Sequence, residues 1–274
     1  MGVPVPAEPS RFTFKIGRAL ADCAIVSWDS DAFGFPVASI DRIILGAESD
    51  NVSLLRAMES WRLGIGARLM SCRLDHRQLK ESMALEAIGF RFVEYVLRPR
   101  LQLRAAAAEP DPDIWVGPAV TREVDEVAAI AERSFETGRF AVDWRVPPHL
   151  SGRRYAAWVR SSIGHPSQRL HVARVGSEVV GFFITEADTH GGVYWHLTAV
   201  APRWQGKGIG RRLWESMLRL HGAEGANAVE TRISGHNPRV LNLYAKLGFS
   251  FQAPEMTLHW VTSDGLGSSG ADPG

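Results

Sequence analysis

The stretch Gln205-Gly206-Lys207-Gly208-Ile209-Gly210 constrains this chain more tightly than any other. Three glycines stand at alternate positions after an apolar, strand-like run, Tyr-Trp-His-Leu-Thr-Ala-Val (194–200). Immediately after them, Ile209, Leu213 and Met217 share one helical face, with Trp214 and Leu218 beside them. A strand must enter, and an amphipathic helix must leave, a loop that has few bulky side chains. Glycine permits the left-handed backbone that turns successive N–H groups toward one point, and a helix N-terminus adds partial positive charge there. Lys207, Arg211 and Arg212 strengthen the same field. The expectation is a pyrophosphate cradle, against the plainer reading of a glycine-rich connection that binds nothing.

Two common phosphate motifs do not fit. A Walker A loop needs a hydroxyl residue after its Gly-Lys, and here Gly208 follows Lys207. A dinucleotide fingerprint has the spacing G-x-G-x-x-G at the first turn of a βαβ unit. These glycines are spaced G-x-G-x-G and follow what reads as an antiparallel meander over 169–200.

The surrounding chain divides in two. Residues 104–113, alanines followed by a Pro/Asp cluster, read as a linker between a unit at 11–103 and a unit at 114–262. Residues 1–10 and 263–274 read as flexible tails. The second unit has the order β-α-α-β-β-β-α-β-α-β, which predicts a mixed α/β sheet flanked by helices and closed by Glu-Met-Thr-Leu-His-Trp-Val (255–261). Sliding the chain by 159 residues lays Arg73 on Arg232 and Ile-Gly-Phe-Arg-Phe (88–92) on Leu-Gly-Phe-Ser-Phe (247–251), which suggests a duplication. In the first copy Gln78 stands where the second has Asn237, Leu85 where it has Tyr244, and the alternate glycines have no counterpart.

Composition narrows the partners. A net charge of +1 gives no basic surplus for nucleic acid. Cys23 and Cys72 are isolated, so no zinc site is expected. No apolar run approaches the roughly 18 residues of a membrane span, and the start lacks a signal-peptide pattern. The expectation is a cytoplasmic protein without membrane or nucleic-acid partners.

Gln205 to Gly210 match the pattern Q-x-x-G-x-G. Asn237, Leu243, Tyr244, Gly248 and Phe249 match N-x-x-A-x-x-L-Y-x-x-x-G-F, with Val240 in place of the alanine. With the element order above, these motifs resemble the GCN5-related N-acetyltransferases, the GNAT superfamily. The resemblance implies a GNAT fold in the C-terminal domain, preceded by a partial GNAT-like domain without the cofactor motif. It implies acetyl-CoA as co-substrate and no metal. The pyrophosphate would rest on Gln205, Gly206, Lys207, Gly208, Ile209, Gly210 and Arg211. The pantetheine arm would pair with the backbone of Leu197, Ala199 and Val200, and Asn237 would touch it from the other side. Tyr244 matches the tyrosine that protonates the departing thiolate. His196, Glu186 or a chain of waters is left to take the proton from the amine.

A looser resemblance extends over most of the chain. Trp-Asp-Ser-Asp-Ala-Phe-Gly-Phe (28–35) and Glu-Arg-Ser-Phe-Glu-Thr-Gly-Arg-Phe-Ala-Val-Asp (132–143) look like segments of the TDP-fucosamine N-acetyltransferases and their relatives. This implies a small-molecule acceptor, the amino group of a nucleotide-linked deoxysugar, with Arg139 and Asp143 on an acceptor-facing loop. Arg139 could equally complement a helix C-terminus. Trp195, Trp144 and Trp158 are stacking candidates, and their plainer reading is core. Other amine acceptors, such as an aminoglycoside, a small metabolite or a protein amino group, stay open. So does a non-catalytic acyl-CoA-binding module, and a homodimer is compatible with either.

Overall fold

The computed structural model describes residues 11–103, 110–263 and 265–266. The expected tail at 1–10, residues 104–109 of the expected linker and most of the expected tail at 263–274 lie outside the described residues. The chain runs β1 (Arg11–Ile16), β2 (Ala19–Ile25), α1 (Ser27–Phe33), β3 (Val37–Ile44), α2 (Glu48–Gly64), β4 (Leu69–Asp75), α3 (Leu79–Ala87), β5 (Arg91–Gln102) and β6 (Ile114–Pro118). It continues through α4 (Val124–Glu132), α5 (Arg139–Val142), α6 (Pro148–Ser162), β7 (Gln168–Val175), β8 (Glu178–Ala187) and β9 (Gly192–Val200). Last come α7 (Ile209–Ala223), β10 (Ala228–Thr231), β11 (Ile233–Ser234), α8 (Pro238–Lys246) and β12 (Ser250–Val261).

These elements form two compact units. One comprises the chain through Val96, Gly138–Ser151 and the chain from Ala253; the other comprises Leu97–Thr137 and Gly152–Gln252. In the first, β1, β2 and β3 pair antiparallel, β3 and β4 pair parallel, and β4 pairs antiparallel with residues 255–261 of β12. Helix α2 lays Leu54 and Met58 onto a core that holds Cys23, Ile40, Met70 and Leu258. Both cysteine thiols are buried in this core, and burial pushes Cys23 up to about 12, so it acts as a small apolar side chain.

In the second unit β6, β7, β8 and β9 pair antiparallel, β9 and β10 pair parallel, and β10 pairs antiparallel with residues 100–102 of β5. Apolar clusters cover both faces, one around Val127, Tyr155 and Phe182, the other around Phe183, Trp214 and Tyr244. The pairing pattern repeats that of the first unit. The offset of 159 residues carries α3 onto α8 and β5 onto β12 end to end.

The partition departs from the sequence expectation in two places. Residues 255–261 do not close the second unit; they pair in the first, and β5 supplies the strand beside β10. The two strands follow equivalent Gly-Phe turns, Gly89-Phe90 and Gly248-Phe249, so their local pattern cannot say which ladder each joins. Likewise Gly138–Ser151 sits with the first unit, because Phe140, Val146 and Leu150 are buried with Phe33, Val37 and Leu69.

Candidate active site

The site begins where two strands part. β9 and β10 run side by side from Gly192 and Ala228 to Trp195 and Thr231, and the pairing ends there. Among the described residues, β9 continues to Val200 paired with β8 alone. Its register with β8 slips on the way: Leu197 faces Ile184 while Trp195 faces Thr185, so His196 is an extra, bulged residue. The bulge reverses the alternation of the strand. Trp195 packs with Phe183 and Trp214 on one face, whereas Leu197 and Ala199 pack with Val127 and Tyr155 on the other. Alternation then returns Thr198 and Val200 to the Trp214 face.

Beside the parted strands lies a cleft of about 560 Å³. Thr198, Ala199 and Val200 form one wall, Gln205, Gly206 and Gly208 the floor, and Asn237, Val240 and Leu243 the facing wall. Gly206 and Gly208 both have φ 76°, and a Cβ at either would meet open space. They are glycines because their backbone is left-handed. Gly208 is the N-cap of α7, which has no side-chain cap, so the first N–H groups of a 15-residue helix are left for a ligand.

The expected cofactor residues divide by location. Gln205, Gly206, Gly208, Gly210 and Arg211 line the cleft, and Gln205 Nε2 also donates to the Val200 carbonyl at 3.1 Å. The Ile209 and Leu197 side chains are buried in the core, leaving only their backbones for a cofactor. Lys207 is not on the cleft wall; its Nζ lies 5.2 Å from the centre of the Trp204 ring. Arg212 turns the other way, donating to Asp111 at 2.7 Å and Asp113 at 2.7 Å, which holds the Asp111 carboxyl down at about 2. Asn237 is the N-cap of α8, its Oδ1 accepting from Val240 N–H at 3.1 Å, which leaves its amide N–H₂ to donate.

His196 Nε2 lies 2.7 Å from Glu186 Oε2, both side chains partly exposed. Burial lowers the His196 pKa, with Glu186 opposing, so the imidazole is neutral at pH 7. Burial also works against ionisation of Glu186, but Ser167 and His196 outweigh it and keep its pKa below the usual carboxylate range.

Tyr244 is not on the cleft surface. It is fully buried, and burial pushes its hydroxyl up to about 12 against the opposing influence of Trp214, Thr198 and Thr231. None of these neighbours closes a well-formed hydrogen bond with it.

Two acceptor candidates, Trp195 and Asp143, are corrected by their burial. Trp195 is 0% exposed and offers no surface for stacking. Asp143 is buried in the first unit, where it accepts from Arg145 at 2.8 Å and lies 2.9 Å from His259 Nδ1; these partners outweigh burial and hold its pKa well below the usual range. Arg139 is 3.9 Å from Asp29 in the same unit. The 132–143 stretch instead contributes Ser134, Phe135 and Thr137 to the cleft. The looser resemblance marked this stretch, but nothing in it singled out those three residues.

Among the described residues no cluster of His, Cys, Asp and Glu could hold a metal ion, and no helix is long and apolar enough to cross a membrane.

Residues 124–249 match the model of the acetyltransferase (GNAT) family. A mycothiol acetyltransferase of Frankia alni is 29% identical over 72% of this chain and 66% of its own length. The spore coat polysaccharide biosynthesis protein SpsD of Bacillus subtilis is 25% identical over 51% of this chain and 48% of its own length. The chain thus spans between about half and just under two thirds of these relatives. A GCN5-related N-acetyltransferase structure from Sphaerobacter thermophilus superposes with a TM-score of 0.60 over 88% of this chain and 76% of that one, at 15% identity, which shows the shared fold. The fold is mixed α/β, with a GNAT domain at residues 124–249 and an N-terminal part that resembles a second one.

Proposed function

We propose that this chain, with its GNAT domain at residues 124–249, is an acetyl-CoA-dependent N-acetyltransferase. Its acceptor is a primary amine, the amino group of a nucleotide-linked amino-deoxysugar. The observation that carries the first statement is the cleft where β9 leaves β10, floored by an uncapped helix N-terminus and left-handed glycines. Such a cradle suits a pyrophosphate, and the unpaired edge of residues 196–200 suits an extended amide-bearing arm that adds to the sheet like a strand. Asn237, with its amide donors left over from capping, suits the far side of that arm.

The proposed chemistry is direct transfer. A neutral amine attacks the thioester, and the resulting tetrahedral intermediate expels the thiolate. His196, neutral at working pH and braced by Glu186, is suited to take the amine proton, and the Glu186 carboxylate favours the imidazolium that forms. Tyr244 is suited to assist the sulfur from behind the cleft wall.

The sugar-nucleotide acceptor is supported by the looser resemblance of residues 28–35 and 132–143, and by similarity to a protein named for polysaccharide biosynthesis. The test is a thiol-release assay with acetyl-CoA against 4-amino-4,6-dideoxyhexose nucleotides, aminoglycosides and peptides. Turnover of the nucleotide sugars is expected; turnover of peptides alone would refute the acceptor, and acetyl-CoA binding without any turnover would favour a regulatory module.

A further inference from the structure

Around His196, where β9 parts from β10, the second unit gathers side chains that are not on the cleft wall. His196 has two aromatic neighbours: the Tyr194 ring centre is 4.8 Å from its own, and the Trp158 ring centre 5.8 Å. Glu186 Oε2 completes the group, 2.7 Å from His196 Nε2. Trp195 packs toward Trp214 of α7, so Tyr194 before it faces the other side of the sheet. Trp158, on α6, packs against the core cluster of that side. Both rings are held in place. Trp158 Nε1–H donates to Gln168 Oε1 at 3.2 Å, and the Arg154 guanidinium lies 5.5 Å from the ring centre. The Tyr194 hydroxyl oxygen accepts from Arg232 at 3.1 Å, and Arg232 directly follows Thr231, the last residue of β10 paired with β9. Trp158, Tyr194, His196 and Glu186 are all only partly buried. Trp158 therefore meets both readings of its place in the sequence: it packs on the core, and its ring also borders the candidate base.

The hydrogen-bonding capacity left over has a definite character. Glu186 is ionised, so the neutral His196 donates Nε2–H to it and keeps a lone pair on Nδ1. Tyr194 accepts from Arg232 and still has its own O–H to donate, with no acceptor for it among the described residues. The group thus offers a base, a donor and two aromatic rings. A linear amine would use the base alone. A pyranose uses all of it: its C–H face lies on an aromatic ring, a hydroxyl accepts from Tyr194, and an amino substituent reaches Nδ1. We propose that Trp158 and Tyr194 form the acceptor subsite and select a pyranose ring, holding its amine within reach of His196 Nδ1. This inference rests on the acetyltransferase reading for what happens at His196. It adds which part of the acceptor is recognised, and by which side chains. The cofactor occupies the cleft and the sugar lies on the partly exposed rings beside His196, so amine and thioester meet where the strands part.

The test compares a 4-amino-4,6-dideoxyhexose nucleotide with the linear diamine putrescine as acceptors in the thiol-release assay. The proteins are the unaltered chain, Trp158→Leu, Trp158→Phe and Tyr194→Phe. The unaltered chain should prefer the sugar by about tenfold or more in kcat/KM. Trp158→Leu keeps bulk against the core and removes the aromatic face, so this preference should fall about tenfold, through KM for the sugar. Trp158→Phe should recover part of it. Tyr194→Phe removes only the hydroxyl and should lower the preference about fivefold. KM for acetyl-CoA should move less than about twofold, because neither residue is on the cleft wall. Sugar binding is read without turnover by saturation-transfer NMR in the presence of CoA. The ring C–H protons should saturate with the unaltered chain and lose the effect in Trp158→Leu. Thermal midpoints report folding, and if Trp158→Leu unfolds, Tyr194→Phe decides. Equal use of putrescine and sugar by the unaltered chain, or variants that slow both acceptors alike, would overturn the proposal and leave the acetyltransferase reading standing. Sugar binding that depends on Trp158, with no thiol released from any amine, would do the reverse.

Discussion

Three histidines should make this protein unusually sensitive to mild acid. His171, His221 and His259 are 8%, 2% and 0% exposed, and burial pushes each down to about 4. Asp143 at 2.9 Å from His259 and Glu224 at 3.3 Å from His221 favour the charged rings, but burial outweighs them; Nε2 of His221 and of His259 has no partner, and the His171 and His221 rings are 5.9 Å apart. In the unfolded chain each titrates near 6.5. Between those values the unfolded state binds more protons, so stability rises with pH across the window and is lost as pH falls from 6.5 toward 4. With three such groups the slope approaches about 4 kcal/mol per pH unit near pH 5, and the loss from pH 6.5 to pH 5 is about 5 kcal/mol. That is comparable to the whole stability of many domains. Depressed carboxylates such as Asp111, held at about 2, lose their contribution at lower pH and do not mask the effect. The assay is urea unfolding followed by circular dichroism at half-unit steps from pH 7 to pH 5. His171 and His221 lie in the second unit and His259 in the first, so if two transitions separate, the second unit's should carry twice the slope. A midpoint that stays flat from pH 6.5 to pH 5 would refute the reasoning, and so would an undiminished slope in His171→Gln/His221→Gln.

Other outcomes follow from the cleft. Gly206→Ala and Gly208→Ala each place a side chain at φ 76°; at about 1–2 kcal/mol of backbone cost, KM for acetyl-CoA should rise about 5- to 30-fold in steady-state kinetics. Glu186→Gln removes the charge that raises the His196 pKa, so the acid limb of the kcat/KM profile should move to lower pH while the plateau falls. Trp195→Ala should destabilise the second unit by about 3–5 kcal/mol in denaturant titration, as loss of a buried aromatic does, with acceptor KM unchanged at temperatures where the variant is folded.

What the sequence disclosed was local. Strand, glycine loop and α7 are contiguous, and the left-handed glycines and uncapped helix follow from residue chemistry alone. The same holds for Asn237, whose capping role depends only on the three residues after it. The 159-residue repeat was legible because α3 and α8 keep equal length and spacing. Features that depend on a distant partner were not. The bulge at His196 exists only in relation to β8. Asp143 is buried because His259, far along the chain, meets it. Tyr244 is recessed in a core that it shares with Trp214, Trp195 and Phe183, and no periodicity encodes that.

The pairing of β4 with residues 255–261 of β12 has a further consequence, for the order in which the protein matures on the ribosome. Asp75 finds its ladder partner only in Glu255. The N-terminal half therefore waits for residues 255–261 to be synthesised after β4, on the order of ten seconds or more at ordinary elongation rates. During that interval one side of β4 is an open, hydrogen-bond-hungry edge. Slow translation of the stretch between β4 and Glu255, or truncation just before Glu255, should therefore expose the N-terminal half to chaperones and to self-association, although none of its own residues has changed.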